Sequence, residues 1–206
     1  FTQGQLQQAL SKATQMLEKF PNSVVLYNIA GACNAGLMQF DAAISSYKQA
    51  LKIKPDYAEA YYNMSVALND KGDLEAAIES YKQALKIKPD YAQAYNNMGN
   101  ILKEKGDLKA AIESYKKAIK IKPGYADPYN NMGIALNHKG DLEAAIESYK
   151  QAIKIKSDYA QAFNNMGNTL KEKGDLEAAI NSYKQALKIR PNYAQAYSNM
   201  GDALKE

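Results

Sequence analysis

The sequence predicts an all-α fold, a right-handed solenoid of stacked antiparallel helix pairs. Three observations carry that expectation. The string DLEAAIESYKQALKIKPDYAQAY recurs almost unchanged along the chain. Pro21, Pro55, Pro89, Pro123 and Pro191 stand on a comb of period 34, with Ser157 in the one empty place. Within each period two segments carry apolar residues at three- and four-residue spacing, which marks one buried face per helix. A lone helix pair cannot bury such a face, so the pairs must stack.

The stretch 58–91 shows how each element arises. Its first helix is expected over 58–71 and its second over 74–88. Gly72, and likewise Gly106, Gly140 and Gly174, supplies the permissive backbone that ends the first helix. Asp73, Asp107, Asp141 and Asp175 then cap the second. Asp56 with Glu59 has the spacing of a capping box. Asp90 with Gln93, Asp158 with Gln161 and Asn192 with Gln195 repeat it. Lys86 and Lys88 complement the dipole at the end of the second helix. Pro128 falls in the first turn of its helix, where backbone N–H groups lack helical partners. Core positions alternate large residues (Tyr61, Met64, Leu68, Leu74, Ile78, Tyr81, Leu85) with small ones (Ser65, Ala77, Ala84), which allow close helix approach.

The comb also sets the organisation. Residues 1–23 read as a half-repeat holding only a second helix. Five complete units follow at 24–57, 58–91, 92–125, 126–159 and 160–193. Residues 194–206 read as a half-repeat holding only a first helix, giving twelve helices. The chain begins at Phe1 rather than Met, and the expectation is a piece of a longer protein. The two half-units are complementary, so head-to-tail self-association is a second expected contact.

Composition narrows the function classes. The chain is 46% apolar and 23% charged, a balance that excludes disorder. A net charge of +4 is too modest to argue for nucleic acid. No apolar run is long enough to span a bilayer. The single cysteine, Cys33, excludes a disulfide framework and a cysteine zinc site. It fits a reducing compartment, and the expected location is cytoplasmic. Neither a phosphate loop nor a catalytic triad nor a paired acid/base site stands out. The expectation is a protein without catalytic residues, cofactor or metal. His138, the only histidine, reads as a solvated residue, because metal sites need several ligands. Cys33 reads as packed. The lysines Lys48, Lys82, Lys116, Lys150 and Lys184 lie on second helices. Glu79, Glu113 and Glu147 stand three residues before their lysines, so a solvated, paired face is expected.

The residues Tyr95, Met98, Gly99, Leu102, Ala111, Tyr115, Ala118 and Pro123 match the aromatic, Leu, Gly, Tyr, Ala, aromatic, Ala, Pro pattern of the tetratricopeptide-repeat family, which the chain resembles over essentially its whole length. Departures are few: Met for Leu at the second site, Ser65 for one Gly and Met38 for the inter-helix Gly. The resemblance implies a superhelix with a concave groove lined by first helices, and protein or peptide binding without catalysis. The runs Asn97-Met98-Gly99-Asn100 and Ala162 to Glu172 are similar to the repeat region of O-linked N-acetylglucosamine transferases. The stretch 6–40 resembles bacterial repeat regions that precede glycosyltransferase or sulfotransferase domains.

In the transferase family an asparagine ladder grips the backbone of an extended peptide. The matching positions here are Asn63, Asn97, Asn131, Asn165 and Asn199, and the first unit departs with Ile29. An amide offers both donor and acceptor, so it can pair with a peptide unit of any sequence. Further along the groove, residues alternate between two types, as if a two-repeat block had been copied. The ladder holds through both. Asn96, Asn130, Asn164, Lys103 and Lys171 are expected to form a polar rim beside it. Five hydrogen bonds of about 0.5–1.5 kcal/mol each, less the cost of ordering the peptide, imply micromolar or weaker binding.

Overall fold

The computed structural model describes residues 2–206. Among these are twelve α-helices and no strand. The chain divides into two compact units, Phe1–Ala94 and Tyr95–Glu206. The first holds α1 (Gln3–Lys19), α2 (Val24–Gly36), α3 (Phe40–Ile53), α4 (Ala58–Lys71) and α5 (Leu74–Ile87). Consecutive helices pack on one another, and α2 also touches α4. The boundary falls within α6 (Ala92–Glu104). The second unit continues with α7 (Leu108–Ile121), α8 (Ala126–His138), α9 (Leu142–Ile155), α10 (Ala160–Glu172), α11 (Leu176–Ile189) and α12 (Ala194–Ala203). There α8 touches α10 and α10 touches α12, so first helices line up along one face of the unit.

The predicted second-helix caps are present. The carboxylates of Asp73, Asp107, Asp141 and Asp175 accept from the amides of Ala76, Ala110, Ala144 and Ala178 at 3.0–3.4 Å. Gly72, Gly106, Gly140 and Gly174 take φ of 83–91°, the left-handed region that glycine enters without penalty. Met38 holds the same place in the first helix pair at φ 60°, and Gln39 after it makes no side-chain cap.

The expected capping boxes at the first helices are corrected. Tyr57, Tyr159 and Tyr193 are the N-caps of α4, α10 and α12, and none caps through its side chain. Asp56, Asp158 and Asn192 sit one place too early, inside the turn, to reach the third helical amide. The turn is braced differently. Lys54, Lys88, Lys122, Lys156 and Arg190 each place their cation 4.7–5.5 Å from the ring of the tyrosine three residues on. A capping box does form at α1, where Thr2 and Gln5 exchange backbone-to-side-chain bonds.

Packing follows the expected alternation. Tyr47, Tyr81, Tyr115, Tyr149 and Tyr183 are fully buried, and the alanines beside them have no exposed surface. A Cβ on Gly133 would lie 2.6 Å from the Tyr149 ring, so that glycine is required by close approach. In 58–91 the same place holds Ser65, fully buried, whose hydroxyl donates to the Tyr61 carbonyl at 2.7 Å. Pro128 is buried in the first turn of α8, as expected.

Candidate functional site

The ladder positions lie on first helices, and the structure shows what holds them. Asn63 Nδ2 donates to Asn28 Oδ1 at 3.0 Å in the first unit. In the second unit Asn131 donates to Asn96 at 3.1 Å, Asn165 to Asn130 at 3.1 Å and Asn199 to Asn164 at 3.0 Å. Each bond spans 35 residues, so each joins one first helix to the preceding one. Within a helix, Asn96 donates back to Asn97 and Asn130 to Asn131, at 3.2 and 3.3 Å. The result is an amide rail running from repeat to repeat.

This geometry corrects the placing of Asn96, Asn130 and Asn164 in a polar rim open to a peptide. They are 4%, 1% and 3% exposed and lie between helices. Their amides are bound to protein, as burial of a polar side chain demands. Neighbouring residues on a helix point about 100° apart. One asparagine of each Asn-Asn pair therefore faces the adjoining first helix while the next stays half-buried at the surface. Nothing local in the sequence distinguishes the two.

The half-buried member keeps spare capacity. An amide has two N–H donors and two acceptor lone pairs. Asn131 uses one donor on Asn96 and one lone pair on Asn130, leaving one of each. Asn199 is more committed, donating to Asn164 and Asn168 and accepting from Gln195. In the first unit Tyr62 stands where Asn28 and Asn96 stand in their helices. It stacks on Tyr91 at 4.8 Å and meets Tyr81 edge-on at 5.8 Å.

Two lysines complete the candidate set. Lys171 reaches Glu206 at 3.5 Å. Lys103 is half-buried, and desolvation lowers its pKa against the opposing charge of Glu104. The place 35 residues on, where Lys171 finds Glu206, is taken for Lys103 by the exposed His138. Further residues on this face are tied internally. Tyr115 and Tyr183 donate to Asn100 and Asn168, and Asn137 donates to Thr169 and Glu172. Cys33 is buried, and desolvation raises its pKa. Among the described residues no group of three or more His, Cys, Asp or Glu side chains is placed to hold a metal. Among the described residues no helix is long and apolar enough to cross a membrane.

A family model described as "TPR repeat" matches residues 39–68, 67–106, 99–139, 135–174 and 167–206. The chain belongs to the tetratricopeptide-repeat family. TPR repeats mediate protein or peptide binding, or assembly. The TPR chain is 30% identical to the crystal structure of MamA, with a TM-score of 0.74, over 80% of this chain and 96% of that one. It shares the fold of YrrB, titled a TPR protein with an unusual peptide-binding site, at 20% identity and a TM-score of 0.73, over 90% and 96% of the two chains. A curated relative is the probable UDP-N-acetylglucosamine–peptide N-acetylglucosaminyltransferase SEC of Arabidopsis thaliana, 33% identical over 70 residues. That match covers 34% of this chain and 7% of the relative's length.

Proposed function

We propose that this TPR chain is a non-catalytic scaffold that holds an extended peptide along its first-helix face. The observation that carries the reading is the amide rail. Bonds to the preceding helix hold Asn63, Asn131 and Asn165 in one orientation, and a pre-oriented group costs less to engage than a free one. Asn63, Asn97, Asn131 and Asn165 would each offer an amide to a peptide unit, while Lys103 and Lys171 would add charge beside them. Recognition of this kind reads backbone more than side chains. The partial likeness to a peptide glycosyltransferase agrees with such a role.

The test uses a peptide selected from a random library on the wild-type chain. Replacing Asn97, Asn131 and Asn165 together with Ala should weaken its capture by about tenfold or more, with helicity retained. N-methylation of alternate peptide units should weaken binding similarly. Unchanged capture by a folded triple variant removes the ladder from the account.

A second reading, self-assembly through the end helices, is favoured by exposed apolar side chains there. Phe20, Val25 and Ile29 are 56%, 60% and 40% exposed, and Tyr197 and Leu204 are 52% and 64% exposed. Sedimentation over a wide concentration range decides it, and a strict monomer removes it.

A further inference from the structure

The α1–α2 pair of the first unit carries a groove of about 440 Å³. Gln5, Leu6 and Ala9 of α1 and Ile29, Ala32 and Cys33 of α2 line it, so that Gln5 aside the lining is apolar. Ile29 holds the ladder place in its helix. In later repeats that place faces the preceding first helix, to which Asn63, Asn131, Asn165 and Asn199 donate. First helices also touch directly, α2 with α4, α8 with α10 and α10 with α12. The chain's own stacking thus shows what fits this groove: the flank of a first helix. The α1 side of it is open as well. Ala9, Leu10, Met16 and Leu17 keep exposed surface, whereas Ala43, Ile44, Ala50 and Leu51 at the same places of α3 are buried between α2 and α4.

The complementary surface lies on α12 of the second unit. Ala194, Ser198 and the following Leu204 are exposed, whereas Ala160 and Asn164 at the same places of α10 are buried. A Cβ on Gly201 would meet nothing within 4 Å, while one on Gly167 of α10 would lie 2.5 Å from the Tyr183 ring of α11. The bond between first helices changes on both of its members here. Inside the chain a ladder asparagine meets an asparagine acceptor, as Asn199 meets Asn164. The acceptor's place on α12 holds Ser198, and the donor's place on α2 holds Ile29. Each change removes an amide that the other would leave without its bond, so the two surfaces match.

We propose that the groove seats α12 of a second copy of this chain, which packs there as a preceding first helix with Ser198 against Ile29. The inference rests on the self-assembly reading above and gives it a seat, a direction and a residue pair. Continuity with the internal stacking argues for that occupant. The α12 segment reads AQAYSNMGDAL beside AQAFNNMGNTL of α10, the kind of helix that fills this place in other repeats. Burial of Leu6, Ile29 and Leu204 supplies the driving force. The contact joins two different surfaces, so it is heterologous. Ala13 stands where α3 carries the buried Tyr47, and no ring of α1 meets Gly201. The junction is therefore weaker than those inside the chain, and it is reversible.

The test mixes two single-cysteine variants, Ile29→Cys and Ser198→Cys, each made in a Cys33→Ala background, and joins them with a short bis-maleimide at high chain concentration. The mixture should give a dimer whose tryptic peptides link position 29 of one copy to position 198 of the other, and neither variant alone should cross-link. Sedimentation equilibrium then measures association of the cysteine-free-linker chains. Ser198→Asn should weaken it at least about tenfold, because the new amide faces Ile29. Adding Ile29→Asn rebuilds the pair found inside the chain and should bring association back to within about threefold of the parent. Circular dichroism checks that each variant is folded. Links between two copies of position 29 or two of position 198, or undiminished association of Ser198→Asn, overturn this seat and leave the broader self-assembly reading standing. A strictly monomeric parent chain removes both.

Discussion

Asn131 donates its amide hydrogen to Asn96 at 3.1 Å, and Asn96 is 4% exposed. One asparagine is thus a buried acceptor for the next repeat, and the other is held at the surface by it. Asn165 on Asn130 repeats the relationship.

The rail therefore contributes to stability as well as to any binding. Asn130→Ala should cost about 1–3 kcal/mol, because the Asn165 donor then loses its buried partner. Denaturant midpoints measure it. A cycle with Asn165→Ala should show coupling of about 0.5 kcal/mol or more. Strict additivity would mean that the observed bond carries no energy.

Ser157→Pro should stabilise the chain by about 0.4–1 kcal/mol. Lys156 already has φ −128° and ψ 92°. That is the extended backbone required before proline, and Lys54, Lys88, Lys122 and Arg190 adopt it before theirs. Thermal unfolding would show the gain, and a lower midpoint would show that the Ser157 amide has an important partner.

Met38→Gly should stabilise by about 1 kcal/mol, since a side chain at φ 60° carries a left-handed penalty that glycine avoids. Met38 is 76% exposed, so little packing is lost. Adding Gln39→Asp should supply the cap its helix lacks, for about 0.5–2 kcal/mol more. Both are read from melting curves of single and double variants.

Alkaline pH should unfold the chain through its buried tyrosines. Desolvation, then the charge of Cys33, pushes Tyr47 up to about 12. Desolvation, then Glu206 and Asp202, pushes Tyr183 up to about 12. The unfolded phenols titrate near 10. Their contribution is therefore whole below that value and is lost as pH rises from about 10 through 12. Tyrosinate absorbance should appear together with loss of helical circular dichroism. Full titration of all tyrosines with intact helices would contradict the burial.

The period, the twelve helices, the aspartate caps and the glycine turns were legible in sequence. Each is a local matter, set by a residue and its neighbours within about one turn. The bounds expected for 58–71 agree with α4, and α5 ends one residue early. The first-helix caps were misread because the residue just before each helix is Tyr57, Tyr159 or Tyr193, while Asp56, Asp158 and Asn192 lie one place earlier in the turn. Only the tertiary structure decided which asparagine of each pair is buried. It also decided that Asn28 anchors Asn63, and that lysines at the ends of first helices find acids 30 residues back. These are contacts between repeats. Sequence shows that two residues share a period, but a rotation of about 100° per residue decides which of them meets the next helix. How each helix is turned about its own axis is set by stacking, and stacking made Asn96, Asn130 and Asn164 interior while leaving Asn97, Asn131 and Asn165 at the surface.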